Sequence, residues 1–328
     1  MTTLGMMPEW ICLFPGISPD PTNPLAMSDF LKQLQLGRPL LLDGATGTEL
    51  AARGYPLTGP GWSATAILKA PELLVEIHRD YVRAGARIIT ANTFRTQRRS
   101  LTVAGWGERA AELTSRAVEL TRQAAATDTL IAGSMSPLTD CYSPQLTPGE
   151  QELCDEHAEH AQHLAQAGVD LLLVETQITA LEAELAVQAA VTTGLPVWVS
   201  FTLGRPLPDD IPRLLSGEPL SGAVKRVLDA GALGISLNCI PAVEVLPAIE
   251  AIRELYSSRG GQSPWWGAYA NTGRLLSHGQ WEDTEAVNPA VYAGYVHTWL
   301  VAGCRLLGGC CGTGPQHIEL IRKELYGE

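Results

Sequence analysis

The chain has 328 residues, 45% of them hydrophobic and 18% charged, which is enough for a sizeable core and excludes a disordered or collagenous chain. Lys and Arg number 23 against 35 Asp and Glu, so the formal net charge of −12 opposes binding to nucleic-acid phosphates or to an anionic membrane surface. Apolar runs all fall short of the roughly 18 residues that span a bilayer, and seven cysteines, an odd number, fit the reduced thiols of a cytoplasmic protein better than a disulfide framework.

Residues 1–27 read as an irregular leader. Pro8, Pro15, Pro19, Pro21 and Pro24, with Gly5 and Gly16, interrupt any periodic pattern, so neither helix nor strand is expected. Glu9 and the lack of a basic segment argue against a secretory signal. The style changes at Met27, where MSDFLKQLQLG opens with Ser28 as a candidate N-cap. The favoured reading is a translation start at Met27; the alternative is a loosely packed arm. Residues 28–328 then make up one domain.

From residue 38 onward short apolar runs alternate with longer helical patterns. The runs are 39–45, 86–94, 129–137, 169–176, 196–203, 232–239, 265–273 and 304–312. They are nearly continuous in apolar character, as strands covered on both faces must be. Helical stretches lie between them at 72–84, 108–126, 150–167, 179–193, 221–230, 241–257, 287–302 and 315–326. Eight such pairs predict an α/β fold, a single-domain (β/α)8 TIM barrel. GATGT after the first run has the wrong spacing for a dinucleotide-binding GxGxxG.

Each run begins apolar and finishes polar: Asp43, Asn92, Ser134, Glu175, Thr202, Cys239, Asn271 and the pair Cys310–Cys311. In a TIM barrel these positions meet at the C-terminal mouth, where active sites of the fold lie. Three cysteines there suit a catalytic zinc with one open position, provided the last strand breaks so that adjacent thiols face the same way. Gly308, Gly309, Gly312 and Gly314 supply that freedom. Buried small hydrophobes, or a redox-active Cys310–Cys311 pair, are the alternatives. Two other groups read as structural. Arg95, Arg98 and Arg99 are expected to pair with acidic neighbours, and Cys154, His157, His160 and His163 read as a solvated helix face rather than a second metal site.

At these residues the chain resembles the homocysteine S-methyltransferase family. DGATGTEL (43–50), WSA (62–64), the YxxAGA pattern (81–86), GSMSP (133–137), VET (174–176), NC (238–239), NTG (271–273) and GGCCGT (308–313) are similar to its successive motifs, in order. The resemblance implies zinc on Cys239, Cys310 and Cys311 and transfer of a methyl group to the thiol of homocysteine, giving methionine. It also implies substrate contacts from Asp43, Glu175, Asn238 and Asn271, with the homocysteine ammonium near Glu175 and Asp43. Backbone N–H groups around Gly44 to Thr46 are suited to its carboxylate. Ser236, where the family often has Gly, and Gln177, where an apolar residue or Pro is common, depart from the pattern.

The chain has no room for the folate and cobalamin modules of methionine synthase, so a small onium donor is expected: S-methylmethionine first, S-adenosylmethionine second, betaine third. Thr176 stands where betaine enzymes of the family carry an aromatic residue. Trp62 and Phe94 are the aromatic candidates for holding the onium cation. A non-catalytic zinc barrel and a thiol-redox enzyme are the readings from other classes. Oligomeric state and use of selenohomocysteine stay open at this level.

Overall fold

The computed structural model describes residues 24–204, 211–257, 264–276 and 280–327. Its strands are β1 Leu40–Leu41, β2 Ile88–Ala91, β3 Leu130–Met135, β4 Leu171–Gln177, β5 Val197–Phe201, β6 Gly234–Pro241, β7 Trp265–Asn271, β8 Gly273–Leu275, β9 Trp281–Asp283 and β10 Cys304–Gly309. Eight of these form one parallel sheet in the order β1-β10-β7-β6-β5-β4-β3-β2. A parallel bridge between Leu42 and Ile88 joins its two end strands. The sheet therefore rolls into the expected (β/α)8 barrel. Long helices follow its strands at Pro71–Ala84, Ala110–Ala124, Glu150–Ala167, Ala180–Val191, Leu220–Asp229, Ala242–Ser257, Pro289–Val301 and Pro315–Tyr326, each within a few residues of its sequence-predicted stretch. The exposed antiparallel hairpin β8–β9 was not anticipated, because three-residue strands outside the core carry no periodic signal. No helix among the described residues is long and apolar enough to cross a membrane.

The leader boundary needs correction. A helix runs from Pro24 to Gln35, so its backbone begins three residues before Met27 and contains Ser28 instead of being capped by it. Pro24 is at home in the first turn, where its missing N–H would have no partner anyway. Residues 1–23, and with them the expectation of a loosely packed arm, lie outside the described residues. Phe30 and Leu34, 1% and 0% exposed, enter the barrel interior with Leu40, Leu42, Ile88, Leu171, Leu173 and Leu306. Phe30 meets Trp198 edge-on, with centroids 6.0 Å apart. The helix thus closes the end of the barrel opposite the strand C-termini. Trp198 fits because Gly234 lies under its ring, where a Cβ would come within 2.5 Å. Its Nε1 donates to Ser236 Oγ at 2.7 Å. The Ser236 departure is thereby explained as a partner for a buried indole, since a buried N–H left unbonded costs about 1–3 kcal/mol.

Two surface readings also change. Cys154, His157 and His160 are 4%, 0% and 3% exposed, so this face of helix Glu150–Ala167 packs inward instead of being solvated. It docks on helix Ala180–Val191 and β3, where His157 Nε2 lies 3.2 Å from Glu182 Oε1 and His160 Nε2 lies 3.3 Å from the Ser134 carbonyl. Arg98 pairs with Glu159 and Glu108, and Arg99 with Glu152 and Glu156, as expected. Arg95 does not join them.

Candidate active site at the barrel mouth

A cavity of about 450 Å³ opens at the C-terminal ends of the strands and is lined by Asp43, Gly44, Thr46, Trp62, Phe94, Arg95, Glu175 and the three cysteines Cys239, Cys310 and Cys311. That volume lies within the range of small-molecule sites. Tyr142 and Cys239 also border a neighbouring cavity of about 680 Å³.

The thiols converge because two strands are broken where they end. Register is lost between Asn238 and Pro241 in β6, and Cys239 between them has φ 56. β10 stops at Gly309, so Cys310 and Cys311 lie beyond the alternation of the sheet. Cys310 N–H donates to the Ala270 carbonyl at 2.8 Å, and Cys311 N–H to Asn271 Oδ1 at 3.0 Å. Gly312 turns the chain at φ 85 against Thr272, where a Cβ would clash. Cys310 Sγ lies 3.5 Å from Cys239 Sγ, Cys311 Sγ lies 4.0 Å from Cys239 Sγ, and all three sulfurs fall within 4.8 Å of one another. The contacts to Cys239 and Cys311, then burial, push the Cys310 thiol up. Ionised together, three thiolates this close would need a cation among them. A soft, three-sulfur donor set with a cavity on its open side fits zinc.

Two carboxylates face the same cavity. Asp43, 1% exposed, accepts from Thr90 N–H at 2.8 Å and Thr90 Oγ at 2.9 Å. Burial pushes its pKa up to about 8, against the pull of these bonds, and Glu175 adds repulsion. Glu175 accepts from Ser134 Oγ and from Tyr269 Oη, and burial pushes it up to about 7. Neither pairs with Lys or Arg among the described residues. Such a pair is suited to an ammonium group, which would restore full ionisation.

Strain concentrates here as well. Among the described non-glycine residues, those with positive φ are Trp62 (43), Thr176 (61) and Cys239 (56), and all three line the cavity. For the β-branched Thr176 this is a true outlier. Its conformation is held by Ser200 Oγ, which accepts from Thr176 N–H, and by Asn238, whose Nδ2 donates to Thr176 Oγ1 at 2.9 Å. Asn238 is therefore a support behind the wall and not a lining residue. Asn271 likewise carries the Cys311 backbone and borders the second cavity. Neither side chain lines the first cavity: Asn238 Nδ2 is engaged by Thr176 and Asn271 Oδ1 by the Cys311 backbone. Gln177 is fully buried and donates to the Glu175 carbonyl.

Trp62 and Phe94 meet edge-on with centroids 6.0 Å apart, and the Arg95 guanidinium lies 5.1 Å from the Phe94 centroid. The sequence reading missed Thr90, Tyr269 and Tyr142. The first two sit inside apolar runs and read as core. Tyr142, whose Oη is 3.5 Å from Cys239 Sγ, lies in the loop after β3, where spacing carries no information.

A TIM barrel whose mouth gathers three thiols that could hold a metal ion, beside two buried carboxylates without a Lys or Arg partner among the described residues, has the form of an enzyme active site. The chain belongs to the homocysteine S-methyltransferase family, whose sequence model, described as Homocysteine S-methyltransferase, matches residues 40–325. It is 31% identical over 309 residues to the Homocysteine S-methyltransferase of Escherichia coli strain K12, covering 86% of this chain and 94% of that protein. It is 27% identical to the Selenocysteine methyltransferase of Astragalus bisulcatus, covering 93% and 96%. The metallated crystal form of the E. coli homocysteine methyltransferase MmuM superposes with a TM-score of 0.74 at 29% identity, over 89% of this chain and 98% of that one.

Proposed function

We propose that this protein moves a methyl group from a small sulfonium donor, S-methylmethionine or S-adenosylmethionine, to the thiol of L-homocysteine, and that Cys239, Cys310 and Cys311 hold one zinc ion. The reading is carried by one observation: three clustered sulfurs share a single cavity with two buried carboxylates that pair with no Lys or Arg among the described residues. Zinc bound by three thiolates would supply a Lewis acid that keeps a fourth thiol ionised at neutral pH, so that no general base is needed.

The remaining work falls to side chains and backbone. Asp43 and Glu175 receive the homocysteine ammonium, and the backbone from Gly44 to Thr46 receives its carboxylate. Between them they aim the thiol at the cysteines. Trp62 offers a π-face to the sulfonium, a contact worth about 0.5–2 kcal/mol. The methyl carbon then leaves the sulfonium sulfur as it bonds to the homocysteine sulfur. The thiol proton is released, and the donor departs as a neutral thioether. Alignment of the two sulfurs is the main catalytic demand, since well-oriented reactants gain several orders of magnitude in rate.

Betaine ranks below the sulfonium donors because Thr176 supplies no aromatic face after Glu175. A Cys310–Cys311 redox couple is not favoured, because Cys239 Sγ lies 3.5 Å from Cys310 Sγ and makes the cluster one of three sulfurs rather than two. Methionine formation from homocysteine, assayed across S-methylmethionine, S-adenosylmethionine and betaine, tests the proposal. No methionine with either sulfonium donor would overturn it.

A further inference from the structure

One cationic side chain lines the cavity that the reaction above leaves unused. Arg95 follows Phe94 in the loop after β2. Its Nη1 donates to the Thr139 carbonyl at 2.6 Å, its Nη2 lies 4.0 Å from Cys141 Sγ, and its guanidinium sits over the Phe94 ring. Arg98 and Arg99 are neutralised by four glutamates, whereas no carboxylate among the described residues pairs with Arg95. A guanidinium has five N–H groups, so these contacts leave donors available to a ligand in the cavity that Arg95 lines. A half-buried charge without a counterion is costly. A bare onium cation entering the same cavity would add like-charge repulsion. Both problems disappear if the donor brings an anion of its own.

We propose that Arg95 reads the carboxylate of the methyl donor, so that the enzyme selects onium donors carrying a carboxylate over those that lack one. This rests on the methyl-transfer reading given above. Phe94 touches both neighbours, meeting Trp62 edge-on and carrying the Arg95 guanidinium over its ring. The donor's cation lies against Trp62 and its carboxylate reaches Arg95. Phe94, whose face already carries the guanidinium, acts as the spacer between them. The acceptor's carboxylate goes elsewhere. With its ammonium at Asp43 and Glu175, homocysteine directs that group to the loop after β1, whereas Arg95 is tied through Thr139 to the loop after β3.

The test compares S-methylmethionine with its carboxamide, which keeps the sulfonium and loses the negative charge. Binding of each to the zinc-loaded full chain is measured by calorimetry without homocysteine, and both Michaelis constants are measured in turnover. The unsubstituted enzyme should bind the acid about 10- to 100-fold more tightly than the amide, the range expected of a charge-assisted contact. Arg95→Gln should erase that preference by weakening the acid alone, with KM for homocysteine unchanged within about twofold. Arg95→Lys, which keeps the charge but not the fork, should retain part of the preference and serves if the Gln variant folds poorly. Equal binding of acid and amide by the unsubstituted enzyme would overturn the proposal. So would a rise confined to the homocysteine KM in Arg95→Gln, which would assign the guanidinium to the acceptor. Absence of methionine from every donor would instead defeat the methyl-transfer reading, and the calorimetric comparison would still decide whether Arg95 reads a carboxylate.

Discussion

Cys239 and Cys310 stand 71 residues apart in the chain, yet their sulfurs lie 3.5 Å from each other at the mouth of the barrel. The contact exists because β6 loses register at Cys239 and β10 ends before Cys310. Cys239→Ser should bind well under one zinc per chain, against about one in the unsubstituted protein, and lose methionine formation by at least about a hundredfold. The barrel should keep its far-UV spectrum, since the exchange of one sulfur for oxygen at the half-buried Cys239 leaves the large buried side chains of the barrel in place. Metal analysis after purification under reducing conditions is the check, and full zinc occupancy in the variant would refute the ligand assignment.

Asp43 gives a prediction with opposite signs for stability and function. Burial raises its pKa to about 8 in the folded chain, above the value of about 4 for an unfolded aspartate. An acid shifted this way favours folding at low pH, and the contribution is lost as pH rises from about 4 through 8. Asp43→Asn cannot ionise, so its melting temperature should gain on the unsubstituted protein between pH 5 and pH 8.5, by at least about 2 °C. Its KM for homocysteine should rise about tenfold or more. A variant with no relative gain in melting temperature at high pH would show that Asp43 is already neutralised by something else.

Trp62 both packs on Gly47, where a Cβ would come within 2.6 Å of the indole, and lines the cavity. Trp62→Ala should raise KM for S-methylmethionine about tenfold while changing that for homocysteine far less. Trp62→Phe should recover most of the loss, because a π-face survives. Equal damage to both constants would reduce Trp62 to a plug of the rim.

At the opposite end of the barrel, Phe30→Ala should cost about 3–5 kcal/mol by opening a hole beside Trp198. A chain started at Met27 keeps Phe30 and Leu34, and its turnover should match that of the full chain. Denaturant melts of the two proteins separate these effects. A loss above about 2 kcal/mol in the shortened chain would mean that residues before Met27 bury substantial apolar area.

Eight apolar runs, each finishing on a polar residue, were sufficient to reveal the barrel and the strand ends that form its mouth. Continuous apolar character follows from burial on both faces, and a run must stop being apolar where it reaches the mouth, so both signals are local. Asp43, Glu175, Cys239, Cys310 and Cys311 were legible for that reason, and the family motifs added the order in which they recur. Direction and partnership were not legible. Asn238 and Asn271 stand at strand ends like the others, yet they hold Thr176 and Cys311 instead of facing the cavity. Arg95 belongs to the same basic cluster as Arg98 and Arg99, but only the latter two meet glutamates on helix Glu150–Ala167. Cys154, His157 and His160 looked solvated until a second helix covered them. In each case the outcome depends on a hydrogen-bond or packing partner distant in sequence. Such partners are chosen only when the strands close into a barrel and the loops at its mouth are brought together.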